Sequence, residues 1–245
     1  MSFTCRHEGP ELMDGENLPE ADLFLNYREL HTINRLLGGY RITIRGLEKL
    51  SAGCQDLSIL DLGCGGGDML KVLASWGRRN NIKLHLTGID LNPAAIAYSK
   101  ENCAGYHEIS FIRDDVFLHL KSGACYDVIM NTLFMHHLND IQIISLLQLM
   151  KKQANRGFII NDLQRSKWAY FSIKILTRVF SRSYLVKHDA PLSVRRGFLE
   201  KEWWYLLSGA LIATADISWQ WAFRYLVVYQ NLRAENNNIM KSPGN

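Results

Sequence analysis

Apolar positions along this chain switch repeatedly between a period of about 3.6 residues and short continuous runs, the signature of helices alternating with buried strands. From Ala21 to Leu37, residues Leu23, Phe24, Tyr27, Leu30, Ile33, Leu36 and Leu37 keep helical spacing, and Gly38-Gly39 stops the segment. Tyr40 to Leu50 is a second helical stretch, closed by Gly53. Ser58 to Leu62 is a short run with Ile and Leu on both faces, as in a strand covered on each side by helices. It breaks into four glycines within the five positions 63–67, and the helical period resumes from Met69 to Trp76. Leu84–Ile89, Glu108–Arg113, Tyr126–Asn131 and Gly157–Asn161 read as further strands, with helices from Pro93 to about Cys103 and from Ile141 to Lys152. This alternation predicts an open α/β sheet with right-handed crossovers, whose ligands bind beyond the carboxyl ends of the strands.

The rhythm breaks from Lys167 to Arg196, which reads as an insertion. Trp168, Phe171, Ile175 and Val179 form one apolar helical stripe, and Lys167, Lys174, Arg178 and Arg182 share the opposite face. Glu200 to Leu207 is helical again, stopped near Gly209, and Leu211–Trp219 and Ala222–Asn231 read as two strands joined by a short turn. The two helices ahead of the glycine-loop strand lie outside the alternation. They are expected to pack across the ligand-binding edge, either as a lid or as a bracket that only covers apolar surface. The expected organisation is an N-terminal segment with lid helices over 1–53, a ligand-binding domain over 54–233 with a substrate-roof insertion at about 164–198, and a frayed polar tail over 234–245.

Composition narrows the class. At 245 residues, 47% hydrophobic and 21% charged, the chain suits one soluble globular domain with additions. No apolar run reaches the roughly 18 to 20 residues that span a bilayer, and residues 1–20 lack the apolar core of a signal peptide, so the cytoplasm is the expected compartment. Five dispersed cysteines without a C-x-x-C pair argue against a disulfide framework and a zinc-thiolate site. The net charge of +4 is uneven: from Arg165 to Lys201 there are nine Lys or Arg and two acids. That run is read as a solvated face, an amphipathic surface for an anionic membrane, or a receptor for an acidic carrier protein or carboxylated substrate. Nucleic acid is disfavoured, because so small a net charge makes a thin electrostatic footprint.

The glycine loop carries the chemistry. A dinucleotide fingerprint, G-x-G-x-x-G, counted from Gly63 needs its third glycine at position 68, where Asp68 stands. The loop reads instead D-x-G-x-G-x-G, with Asp61 two residues ahead of Gly63. This disfavours a nucleotide-dependent oxidoreductase and leaves, as the bland alternative, a glycine turn with no ligand. The pattern resembles motif I of the class I S-adenosylmethionine (SAM)-dependent methyltransferases. That resemblance implies SAM as cofactor, its ammonium held by an acid at Asp61, with Gly63, Cys64 and Gly65 lining the loop. It also implies a Rossmann-like seven-stranded sheet, mostly parallel with an antiparallel C-terminal strand.

Later strand ends fit the same scheme. Asp90, with Leu91 beside it, lies at the tip of the second strand, where an acid accepts hydrogen bonds from ribose hydroxyls. An N-cap for the next helix is the alternative, a role Asn92 before Pro93 fills equally well. After the third strand the family holds the adenine amino group with an acid, implying Asp115 with the Val116 backbone N–H, or else Asp114. Either could be a plain helix cap. The fourth strand runs through Asn131 and Thr132 into Leu133-Phe134-Met135-His136-His137-Leu138, similar to motif IV of small-molecule methyltransferases. Asn131 and Thr132 would then border the amino-acid end of SAM. Residues 131–134 read Asn-Thr-Leu-Phe, without the proline pair and following aromatic of enzymes that methylate base amines.

Three further stretches look like bacterial methyltransferases of the ubiquinone-biosynthesis type: Glu11-Leu12-Met13-Asp14 with Ile33 to Gly39, Asn161 to Arg165, and His188 to Phe198. The implied reaction is methyl transfer to a small, aromatic or polyketide-like acceptor, oxygen favoured over carbon. A ligand-binding protein of this fold without catalysis is the alternative. A phenolic acceptor has to lose a proton, and histidine is the usual base. His188 in the roof is preferred and His137 comes next, with His136, Arg165 and Arg195 expected to face the substrate. No metal is expected, and the oligomeric state is open.

Overall fold

The computed structural model describes residues 3–15 and 18–231, so the tail expected over 234–245 lies outside the described residues. Two helices come first, α1 (Glu20–Leu36) and α2 (Gly39–Leu50). Strands and helices then alternate: β1 (Asp56–Leu62), α3 (Asp68–Arg79), β2 (Lys83–Asp90), α4 (Pro93–Asn102), β3 (Ile109–Arg113), α5 (Val116–Lys121), β4 (Tyr126–Thr132), α6 (Asp140–Gln153) and β5 (Ala154–Leu163). Three helices, α7 (Lys167–Phe180), α8 (Tyr184–Arg196) and α9 (Glu200–Gly209), precede a final pair of strands, β6 (Ala215–Gln220) and β7 (Arg224–Gln230).

The seven strands form one sheet in the order β3-β2-β1-β4-β5-β7-β6. Strands β1 to β5 run parallel, and β7 lies antiparallel between β5 and β6. Because β1 pairs with β2 on one side and β4 on the other, the connections leave in opposite directions there, which opens a crevice above the β1 carboxyl end. The expected Rossmann-like sheet with its antiparallel C-terminal strand is the one observed. Its apolar residues divide into a cluster under α5, α6 and α9, centred on Ile129, Phe158 and Trp203, and one under α2 and α3, centred on Ile59, Leu70 and Val128.

The two leading helices pack in different places. Helix α2 is a bracket: a side chain at Gly46 would meet Ile159 Cγ2 at 2.8 Å, so the helix lies close on β5 and β7. Helix α1 reaches the ligand edge instead, where Leu23 and Tyr27 pack with Ala95 of α4 and Leu185 of α8. Buried polar groups join the helices to the sheet, since Asn161 of β5 donates to Gly39 O and Thr43 Oγ1 at 2.9 Å each.

Two elements differ from the sequence expectation. Strand β6 begins at Ala215 rather than Leu211, because Leu211 takes a left-handed φ of 57° and the N–H groups of Leu211 and Ile212 close the end of α9 on Ser208 O and Leu207 O. In α7 the buried residues are Ala169, Tyr170 and Thr177, and the apolar stripe faces outward, with Trp168 78% exposed and Phe171, Ile175 and Val179 also exposed. Helix α7 packs chiefly on α8, with Ala169 and Tyr170 clustered against Val194.

Candidate active site

The loop after β1 turns by three left-handed glycines, Gly63 (φ 66°), Gly65 (φ 50°) and Gly67 (φ 74°). At Gly63 a second constraint acts, for a Cβ would stand 2.3 Å from the ring of Phe134, which follows β4. The N–H groups of Gly63 and Cys64 bond to Ile89 O at the end of β2, and Gly65 N–H donates to Asp90 Oδ2 at 2.9 Å. The other Asp90 oxygen accepts from Asn92 N–H at 2.9 Å, while the cap of α4 falls to the Asn92 side chain. Asp90 is therefore fixed in the crevice rather than spent as a helix cap. Cys64 is buried, its sulfur 2.8 Å from where a Cβ on Gly88 would lie, and Leu91 is exposed at the lip. Asp68, which replaces the third glycine of a dinucleotide loop, is bound by Asn102 at 3.0 Å and paired with His31 at 3.2 Å and Lys71 at 3.3 Å.

Three buried polar atoms at the crevice lack a partner among the described residues: Asp61 Oδ1 and both side-chain atoms of Asn131. Burial pushes the Asp61 carboxyl well above the usual carboxylate range, with the charge of Asp90 adding to it. Burial likewise raises Asp90, although its bonds from Asn92 and Gly65 oppose the rise. Orphaned buried polar groups cost about 1–3 kcal/mol each unless something bonds to them, so this donor and acceptor set is suited to a ligand bearing an ammonium group. Thr132 Oγ1 faces Thr43 Oγ1 at 3.1 Å. Asp115 caps α5, its Oδ1 accepting from Phe117 and Leu118, and Val116 is buried behind it.

Beside the crevice stands a cluster that the sequence did not join together. His136 and His137, in the turn after β4, meet Glu11 of the leader and Asp162 of β5. His136 Nδ1 lies 2.7 Å from Asp162 Oδ1, and its Nε2 lies 3.5 Å from Glu11 Oε1. His137 Nδ1 lies 3.1 Å from Asp14, and its Nε2 lies 3.9 Å from Glu11 Oε2. Burial disfavours the charged forms of this set, but mutual attraction outweighs it. Asp162 and Glu11 lift His136 to about 9, and His136, with His137 and Ser193, holds Glu11 down at about 2. The same turn carries Phe134, whose ring lies against Gly63 of the glycine loop, which places the cluster next to the crevice.

The leader is held from the insertion. Asp189 of α8 accepts from Leu12 N–H at 2.8 Å and Met13 N–H at 2.9 Å, and Ser193 donates to Glu11 at 2.7 Å. Arg196 donates to Gly9 O and His136 O. Glu11 and Asp162 are the functional candidates that sequence reasoning passed over. Both stood inside motifs that were noticed, but no spacing could link residue 11 to residues 136 and 162.

The remaining candidates lie apart from this arrangement. Arg165 does not face a substrate: its side chain is fully buried, with every donor spent on Glu202, Gly197 O and the carbonyls of Phe3 and Thr4. His188 is 51% exposed and bonds to Asp189 at 2.7 Å, because both sit on a helix rather than on the strand that would turn them opposite ways. Arg195 follows on the same helix, with its Nε buried and unpartnered among the described residues.

A methyltransferase domain model matches residues 55–181, about half of the chain and all of the crevice-forming strands. The chain belongs to the methyltransferase domain family. Its fold and glycine loop place it in the class I, SAM-dependent group, and SAM is the cofactor for which the orphaned groups are suited. Ubiquinone biosynthesis O-methyltransferases of Rickettsia canadensis and Rickettsia conorii are similar to it, at 33% identity over 150 residues and 32% over 127. The first match covers 58% of this methyltransferase and 56% of the relative, and the second 50% and 40%, so the chain spans about half the length of the curated relatives it matches. Among solved structures, the plantazolicin methyltransferase with bound SAH has a TM-score of 0.61 at 19% identity, covering 86% of this chain and 96% of that one. A SAM-dependent methyltransferase from Aquifex aeolicus gives 0.58 at 15% identity, covering 87% and 99%. At those identities the likeness is one of fold. Among the described residues no helix is long and apolar enough to cross a membrane.

Asp189→Ala is expected to release the leader, because the Leu12 and Met13 N–H groups lose the carboxylate they bond to, a hydrogen bond to a charged group being worth about 1.5–3 kcal/mol. Hydrogen exchange at Leu12 and Met13 should rise sharply while the sheet amides stay protected. Unchanged protection of those two amides would show that Asp189 does not hold the leader.

Proposed function

We propose that this protein transfers the methyl group of SAM to the hydroxyl of a small, aromatic or polyketide-like acceptor. The observation that carries this reading is the buried, unpartnered Asp61 carboxyl beside Asp90, next to a histidine pair that can take up or redirect a proton. Asp61, with Asn131, would hold the amino-acid end of SAM, and Asp90 the ribose. SAM supplies an activated methyl group. The chain's own residues have to align the acceptor and remove its proton, and alignment alone can contribute up to about 7–11 kcal/mol in the best oriented reactions. The Glu11, His136 and His137 cluster lies beside the crevice, whereas His188 is half exposed on the far side of Asp189, so the proton-handling role is assigned to the cluster. The O-methyltransferase names of the Rickettsia relatives support oxygen as the acceptor atom.

The exposed stripe of α7 supports delivery of the acceptor from an anionic membrane surface. Trp168, Phe171, Ile175 and Val179 can enter the headgroup boundary while exposed Lys167, Lys174 and Arg178 meet lipid phosphates. Co-sedimentation should then be seen with phosphatidylglycerol vesicles and not with phosphatidylcholine vesicles, and should be lost in Trp168→Glu. Equal sedimentation of that variant would remove the membrane from the proposal.

Asp61→Asn is expected to weaken SAM by about 10- to 100-fold in calorimetry, a charge-assisted hydrogen bond being worth about 1.5–3 kcal/mol. The cationic ammonium needs the carboxylate, so affinity is full above the raised titration of Asp61 and falls as pH drops through it. That fall should begin above the ordinary aspartate value of about 3.9. Affinity that is flat down to that value would contradict the assignment.

With labelled SAM and a panel of phenols, His137→Ala should reduce kcat by about 100- to 10,000-fold, the span of a lost proton-transfer group. His188→Ala should leave kcat within a few fold. The reverse ranking would return the role to the roof, and transfer to no phenol or polyketide in the panel would overturn the acceptor class.

A further inference from the structure

We propose that Glu11, His136 and His137 form a binding site for a divalent transition metal, Zn²⁺ in the first instance. One oxygen of Glu11 and one nitrogen from each histidine lie within 4.8 Å of one another. The separations of 3.5 and 3.9 Å between Glu11 and the two Nε2 atoms exceed the 2.7–2.9 Å of a charge-assisted hydrogen bond. They approach the roughly 3.3 Å between two ligands of one tetrahedral ion with bonds of about 2.0–2.1 Å.

The surroundings are those of a ligand set. Each histidine has its Nδ1 taken by an aspartate, His136 by Asp162 at 2.7 Å and His137 by Asp14 at 3.1 Å, so both Nε2 atoms are turned to the same carboxylate. Carboxylates bonded to the second ring nitrogen are the usual outer partners of metal-bound histidines, where they fix the ring and raise its basicity. Glu11 and His136 are buried and His137 is partly open, which closes three positions and leaves one side free. Two histidines and one glutamate with an open position is a donor set of catalytic zinc sites, and mixed nitrogen and oxygen donors disfavour Mg²⁺.

This inference deepens the proposed methyl transfer and rests on it for its purpose. With the metal bound the histidines act as its ligands rather than as the base themselves, and an acceptor hydroxyl on the open position would lose its proton to solvent more easily. Its oxygen would form the new O–C bond as the S–C bond of SAM breaks, the electron pair of that bond remaining on sulfur. Acceptors able to bind a metal through a hydroxyl, such as vicinal phenols, are therefore the expected substrate class.

The test is binding rather than turnover. The full chain, stripped with a chelator, is titrated with Co²⁺ and Zn²⁺. The expected result is one equivalent bound, with visible d–d absorption and no near-ultraviolet thiolate band, so that the five cysteines are not the ligands. His137→Ala should weaken binding at least tenfold, and Asp14→Asn, which changes an outer and partly exposed partner, by roughly 10- to 100-fold, both with native circular dichroism. No saturable binding, a thiolate band, or unchanged affinity in both variants would overturn the site and leave the cluster as a metal-free ion pair. SAM calorimetry on the same samples separates this from the proposed function, since SAM binding does not require the metal.

Discussion

The buried contact between Asp162 and His136 is the constraint on which the ligand end of this molecule depends. Neither group is exposed, and each outweighs the burial penalty of the other. A pair of this kind is costly to break from one side, because the survivor is left as an uncompensated buried charge. It locks the turn after β4 to the end of β5, and the His136 backbone carbonyl then receives Arg6 and Arg196. Crevice, leader and insertion are joined through this one point.

The end of β5 shows how closely the parts are linked. Within five residues, Asn161 holds the junction of α1 and α2, Asp162 holds His136, Gln164 bonds Trp219 of β6, and Arg165 holds α9 and the first described residues. Each polar side chain emerges from the sheet where the chain turns from regular structure to roof, and each is spent on a different neighbour. The motif Asn161 to Arg165 is therefore structural for the most part, which explains why reading Arg165 as a substrate ligand failed.

What was legible in the sequence followed from local physics. The β/α alternation, the glycine loop and the acids at strand ends are each decided within a few residues, and the seven-stranded sheet with its antiparallel end was implied by the resemblance to methyltransferases. Less legible was anything requiring two distant segments. Glu11 acquires meaning only against His136, and Asp189 only against Leu12 and Met13. The α7 stripe was visible as a pattern, but its direction was not, since the interior face is made by Ala169 and Tyr170 against Val194 of α8, a contact between distant segments. His188 is paired with Asp189 on α8, a neighbour whose other contacts lie at residues 12 and 13.

The hold of Asp189 on the leader has a consequence for how the molecule comes into being. Residues 11–13 leave the ribosome well before their acceptor, which lies some 177 positions later in the chain. A growing chain can complete the β1 loop and bind its first strands long before Glu11 has anywhere to settle. The α8 contacts that seat residues 11–13 thus form only once residues 189 and 193 have emerged, and a chain ending before α8 would keep the cofactor loop but lack them.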